Sequence, residues 1–149
     1  MRERQDVAAV SLLAACSVFV FGTLKKGFPL HDKWMAGSAF RGIFRTVRRY
    51  PMLVAGPRFA PMMLNEPGYG LHVRGELYAV PEPALAALDE IESIGKPGHF
   101  RLLIEIEPLD GGPSSSAYVY MKDRQLAQPV HSALLDDYQD RRFPGPACG

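Results

Sequence analysis

Between Leu71 and Ser93 the hydrophobic period changes once, from 2 to about 3.6, across the tripeptide Pro81-Glu82-Pro83. Before the prolines, Leu71, Val73, Leu77 and Ala79 alternate with His72, Arg74 and Glu76, as in a strand with one buried face. Gly75, in the middle of that run, predicts a bulge or a close backbone approach. Proline lacks an N–H and suits the first helical turn, so the strand stops there and a helix opens over Ala84 to Ser93.

The other segments are short strands. Ser17 to Phe21, Ala39 to Val47, Pro51 to Ala55, Arg101 to Glu107 and Ser116 to Met121 are apolar or alternating runs. Gly22, Gly56-Pro57, Gly95 to Gly98 and Gly111-Gly112-Pro113 punctuate them. A helical turn is expected near Trp34, which reads as a core anchor, and an amphipathic helix over His131 to Gln139 carrying Leu134, Leu135 and Tyr138. Six strands and two or three short helices predict an α+β domain built on a small mixed β-barrel or curved sheet. At 149 residues, 47% of them apolar, the chain suits one domain over 1–149.

The formal charge of +1 lacks the basic excess that phosphate backbones call for, so nucleic acid is not expected as a partner. Two cysteines, Cys16 and Cys148, form no disulfide framework, which favours a cytoplasmic setting. His31, His72, His99 and His131 have no metal-binding spacing, and no metal or other cofactor is expected. Val7 to Gly22 is apolar, and Leu13-Ala14-Ala15-Cys16 has the look of a lipoprotein cleavage site. Met1 to Asp6 holds two arginines and two acids, however, and the run is too short to span a bilayer, so no membrane association is expected.

Two places could carry chemistry. On the helix, Leu85, Leu88 and Ile91 define an apolar stripe; Glu92 falls roughly 40° from its centre and Glu90 on the opposite side. A carboxylate facing a core must pair with a base, take a raised pKa or serve a site. The plainer reading has Glu92 reaching solvent or Arg101. The second place is Phe21-Gly22-Thr23-Leu24, after the first strand, where a glycine lets backbone N–H groups converge on an anion, or simply makes a turn. Lys25 and Lys26 read as solvated charges. Six bases and no acid lie between Asp32 and Glu66, and they read as a solvated face.

Together these residues resemble a known family. Val18 to Gly27 (VFVFGTLKKG), with Pro29 and His31, is similar to the opening strand and loop of the γ-glutamylcyclotransferase-like family, in particular its γ-glutamylamine cyclotransferases. Tyr50 to Gly56, Gly75 to Val80, Leu88 to Ser93 and Tyr118 to Tyr120 continue the likeness in order, so that it covers about 17–121 and leaves 122–149 as a variable segment. The resemblance implies an enzyme that turns a γ-glutamyl amine such as ε-(γ-glutamyl)lysine into 5-oxoproline and free amine. It implies Glu92 as general acid–base, and Phe21, Gly22, Thr23 and Leu24 as the substrate loop, with Tyr120 in the pocket wall. Phe21 stands where the family usually has tyrosine, and Phe100 stands near a position that tyrosine often occupies. The alternatives are a γ-glutamylcyclotransferase acting on γ-glutamyl amino acids or peptides, and a non-catalytic domain that binds γ-glutamyl metabolites.

Overall fold

The structure is a computed structural model that describes residues 15–144. The leader, Leu13-Ala14 of the apolar N-terminal motif and Cys148 lie outside the described residues. Strand β1 (Ala15–Val20) pairs antiparallel with β5 (Arg74–Pro81), Val20 opposite Glu76. Next to β5 runs β2 (Ala39–Thr46), then β6 (His99–Pro108) and β7 (Ser115–Lys122), all antiparallel. A parallel pairing of Val18 with Tyr118 joins β7 to β1 and closes the barrel in the order β1-β5-β2-β6-β7. The remaining strands, β3 (Met52–Ala55) and β4 (Ala60–Met63), form a separate hairpin. Helix α1 (His31–Trp34) is one turn, and α2 is Glu82–Ile91 with Pro81 as its N-cap residue.

Alternation along the strands builds two cores. Phe19, Leu77, Ile106, Val119 and Met121 fill one, joined by Met52 and Met63 of the hairpin. Their neighbours Val18, Val20, Tyr78, Val80 and Tyr120 form the other, against Leu85 and Leu88 of α2 and Met35 beyond α1. Trp34 packs against this second core while half-buried, in keeping with an anchor reading. Because β5 is covered on both faces, the expected polar face survives only at its start: Arg74 is exposed, whereas Tyr78 is buried. Gly75 makes the close approach its position predicts, since a Cβ there would meet the Val20 carbonyl oxygen and lie 2.7 Å from the Phe19 ring.

Several expectations need correction. Strand β5 starts at Arg74; Leu71 is exposed and bridges only to Tyr50. Strand β4 is an addition to the expected set, because Pro61 breaks the usual strand composition; proline is tolerated in this two-stranded edge hairpin. No helix forms over 131–139. There the backbone bonds to other segments instead: His131 N donates to Val54 O, Leu135 N to Met52 O, and Asp136 O accepts from Arg74 N. Those bonds stretch the segment into a strap, and it buries Tyr138 completely in the first core. Lys25 is the last correction. Expected to be solvated, it is 5% exposed, with its ammonium 3.0 Å from Asp137 Oδ1 and 2.9 Å from the Tyr138 carbonyl oxygen of the strap. Lys26 is exposed as expected.

Candidate active site

The loop after β1 turns inward on its own carbonyls. Gly22 O accepts from Lys25 N at 3.0 Å, Thr23 O from Leu30 N at 3.0 Å, and Leu24 O from the His31 ring at 2.9 Å. His31 therefore braces the loop. Gly22 is required here by close packing: a Cβ would strike the Pro61 ring, with Pro61 Cβ at 3.0 Å. The β3–β4 hairpin thus leans directly on the loop.

Helix α2 ends at Ile91, and Glu92 is its C-cap residue, its N–H bonded to Leu88 O at 2.9 Å. The apolar stripe is as read, with Leu85 and Leu88 buried and Glu90 exposed. The side chain of Glu92 does not splay into solvent; it is 21% exposed. Nor does it pair with Arg101, which instead lies 3.0 Å from Asp89 Oδ1. Its partner is Lys122, at the end of β7, whose Nζ stands 3.3 Å from Glu92 Oε2. Two residues earlier on the same face of β7, the buried Tyr120 hydroxyl donates to Asp89 Oδ1 at 2.7 Å. Burial and that bond to a carboxylate push the Tyr120 phenol well above its ordinary value, so it stays a donor.

All six residues singled out by sequence, Phe21, Gly22, Thr23, Leu24, Glu92 and Tyr120, line one cleft. Pro61, Met62, Met63, Phe19 and Val20 supply its apolar lining. These and Lys122 escaped the sequence reading. For Lys122 a signal existed, since period-2 spacing puts it on the face of Tyr120; for β4 there was none. Among the described residues no three His, Cys, Asp or Glu side chains are grouped as metal ligands would be.

A family profile described as Gamma-glutamyl cyclotransferase, AIG2-like matches residues 18–140. The chain belongs to this family. Within it, a Gamma-glutamylaminecyclotransferase of Bos taurus is 39% identical over 131 residues, covering 83% of this chain and 76% of the bovine one. A provisionally named gamma-glutamylcyclotransferase of Arabidopsis thaliana is 49% identical over 88 residues, 56% of this chain, and the match spans 46% of that protein's length. The crystal structure of an aig2-like protein from Mus musculus superposes with a TM-score of 0.69 at 30% identity, covering 85% of this chain and 97% of that one. The small mixed β-barrel expected from the sequence is the fold observed. Among the described residues no helix is long and apolar enough to cross a membrane.

Proposed function

We propose that this AIG2-like protein is a γ-glutamylamine cyclotransferase, which converts a γ-glutamyl amine to 5-oxoproline and free amine. The observation that carries the reading is that the Glu92 carboxylate and the loop of residues 21–24 line the same cleft. Membership of the family and the bovine relative's name support the amine as leaving group. The apolar wall of Pro61, Met62 and Met63 suits the alkyl part of such an amine.

The reaction is intramolecular. The α-nitrogen of the glutamyl group attacks its own γ-carbonyl carbon, a five-membered lactam closes, and the bond from that carbon to the departing nitrogen breaks. One proton leaves the attacking nitrogen and one reaches the leaving nitrogen, so a single carboxylate between them can carry it from the first to the second. In this reading Glu92 is that carboxylate. With the carbonyls of Gly22, Thr23 and Leu24 bonded back into the loop, its N–H groups are the polar face left to hold the substrate's carboxylate or the developing oxyanion. Phe21 and Tyr120 shape the walls. Holding amine and carbonyl folded together can lower the barrier by roughly 7–11 kcal/mol in the best intramolecular cases, which makes cleft shape the main contribution. A cytoplasmic setting completes the reading, given two cysteines in the whole chain.

The test is 5-oxoproline release from ε-(γ-glutamyl)lysine. Glu92→Gln should keep the fold and lose turnover by a factor of about a thousand, within the 10²–10⁴ range of one general acid–base. Near-parental turnover by that variant would remove Glu92 from the chemistry.

A further inference from the structure

Resting on the reading of Glu92 as the proton-transfer residue, we propose that Lys122 is its positioning residue: the ammonium fixes the Glu92 carboxylate at the cleft wall, and His99 fixes the ammonium. Lys122 Nζ has three protein partners: His99 Nδ1 at 3.0 Å, Glu92 Oε2 at 3.3 Å and the Glu92 carbonyl oxygen at 3.4 Å. An ammonium has three N–H donors, so each is committed to the protein. A lysine built to capture a substrate carboxylate would keep a donor free toward the cleft; this one is turned to the glutamate.

Helix electrostatics explain why Glu92 needs such a partner. It caps the C-terminal end of α2, where the unsatisfied carbonyls carry partial negative charge and disfavour a carboxylate. A cation bonded at once to the Glu92 carbonyl oxygen and to its side chain offsets both. Because Lys122 comes from the barrel, the contact also ties the helix end to the sheet.

The tie has two rungs. Tyr120 and Lys122 are two apart on one face of β7, a separation of about 7 Å; Asp89 and Glu92 are three apart on one face of the helical end, about 5–6 Å. The periods match closely enough for Tyr120 to reach Asp89 and Lys122 to reach Glu92 side by side. Arg101 braces the first rung through Asp89, and His99 braces the second. Since Lys122 donates to it, His99 Nδ1 must be the unprotonated nitrogen, and the ring is neutral. Both members of the second rung are mostly buried, 15% exposed for Lys122 and 21% for Glu92, so this pair is shielded from the solvent screening that weakens surface ion pairs.

Lys122→Met, Lys122→Arg and Glu92→Gln are compared for 5-oxoproline release, with circular dichroism to confirm folding. The expected result is a kcat at least tenfold lower for Lys122→Met with KM within about threefold, and partial recovery of kcat in Lys122→Arg. A crystal structure of Lys122→Met should show the Glu92 carboxylate turned from its place in the parent. Parental kcat in Lys122→Met, a KM rise at unchanged kcat, or an unmoved carboxylate would each overturn the proposal; the second would make Lys122 a substrate anchor. If Lys122→Met fails to fold, Lys122→Gln takes its place with the same criteria. An active Glu92→Gln, by contrast, sinks the catalytic reading itself, whereas an inactive Glu92→Gln beside a fully active Lys122→Met sinks only the positioning role.

Discussion

Lys25 and Asp137, 112 positions apart in sequence, are joined by a 3.0 Å ion pair that binds the C-terminal strap to the loop walling the cleft. The same ammonium donates to Tyr138 O at 2.9 Å, and the Tyr138 ring packs on Phe28, three residues beyond Lys25. Burial raises the Asp137 carboxyl, but hydrogen bonds from Gln139 and Lys25 outweigh it and hold the group below its usual value. The strap therefore sets where the loop lies.

Lys25→Met should cost stability near the low end of about 3–5 kcal/mol, since it strands a carboxylate that is only partly buried. Urea unfolding measures it. Loosening the loop should also raise KM for the γ-glutamyl substrate more than it lowers kcat. A variant as stable as its parent would show that the strap's apolar contacts suffice.

Gly22→Ala adds a methyl group where the Pro61 ring already sits. Either the hairpin or the loop must shift, at a cost of about 1–3 kcal/mol as for an overpacked core. Catalytic efficiency should fall with stability, because the shift falls on the cleft itself. Thermal unfolding and steady-state kinetics on one preparation check both, and an unchanged melting temperature would mean that Pro61 yields freely.

His99 gives the protein a pH dependence of defined sign. Burial first, then the charge of Lys122, lower its pKa below the ordinary 6.5, partly offset by a hydrogen bond to the Glu92 backbone. The folded state thus binds fewer protons here than the unfolded chain. This contribution is fully present above about pH 6.5 and lost as pH falls through the folded-state value. Protonation would also set a second cation against Lys122 at 3.0 Å. Unfolding free energies from pH 8 to 5 should fall on the acid side, and His99→Gln, which keeps an acceptor but cannot titrate, should flatten that part of the curve. An identical slope in the variant would assign the acid sensitivity to other groups.

Glu92→Gln is the sharpest of the expected outcomes: a folded protein whose 5-oxoproline release is about a thousandfold slower. It is measured in the same assay as the Lys122 variants, so that chemistry and positioning are separated on one scale.

Local pattern alone placed much of this molecule. The alternation before Pro81 and the stripe of Leu85, Leu88 and Ile91 set a strand, a helix and the direction of Glu92, because period and capping act within a few residues. The loop at Gly22 and the wall residue Tyr120 were legible through their likeness to a known family. The strap reads as a helix in sequence because its periodicity is genuine, but its hydrogen-bond partners, Val54, Met52 and Arg74, lie far away along the chain.

What only the tertiary structure decided is which charge meets which. Lys25 looks like any exposed lysine until the strap covers it, and Lys122 like the end of a strand until barrel closure sets it beside Glu92. Chain pattern determines which face a side chain takes; ion pairs depend on distances between segments that no local period encodes, and those exist only once the barrel has closed.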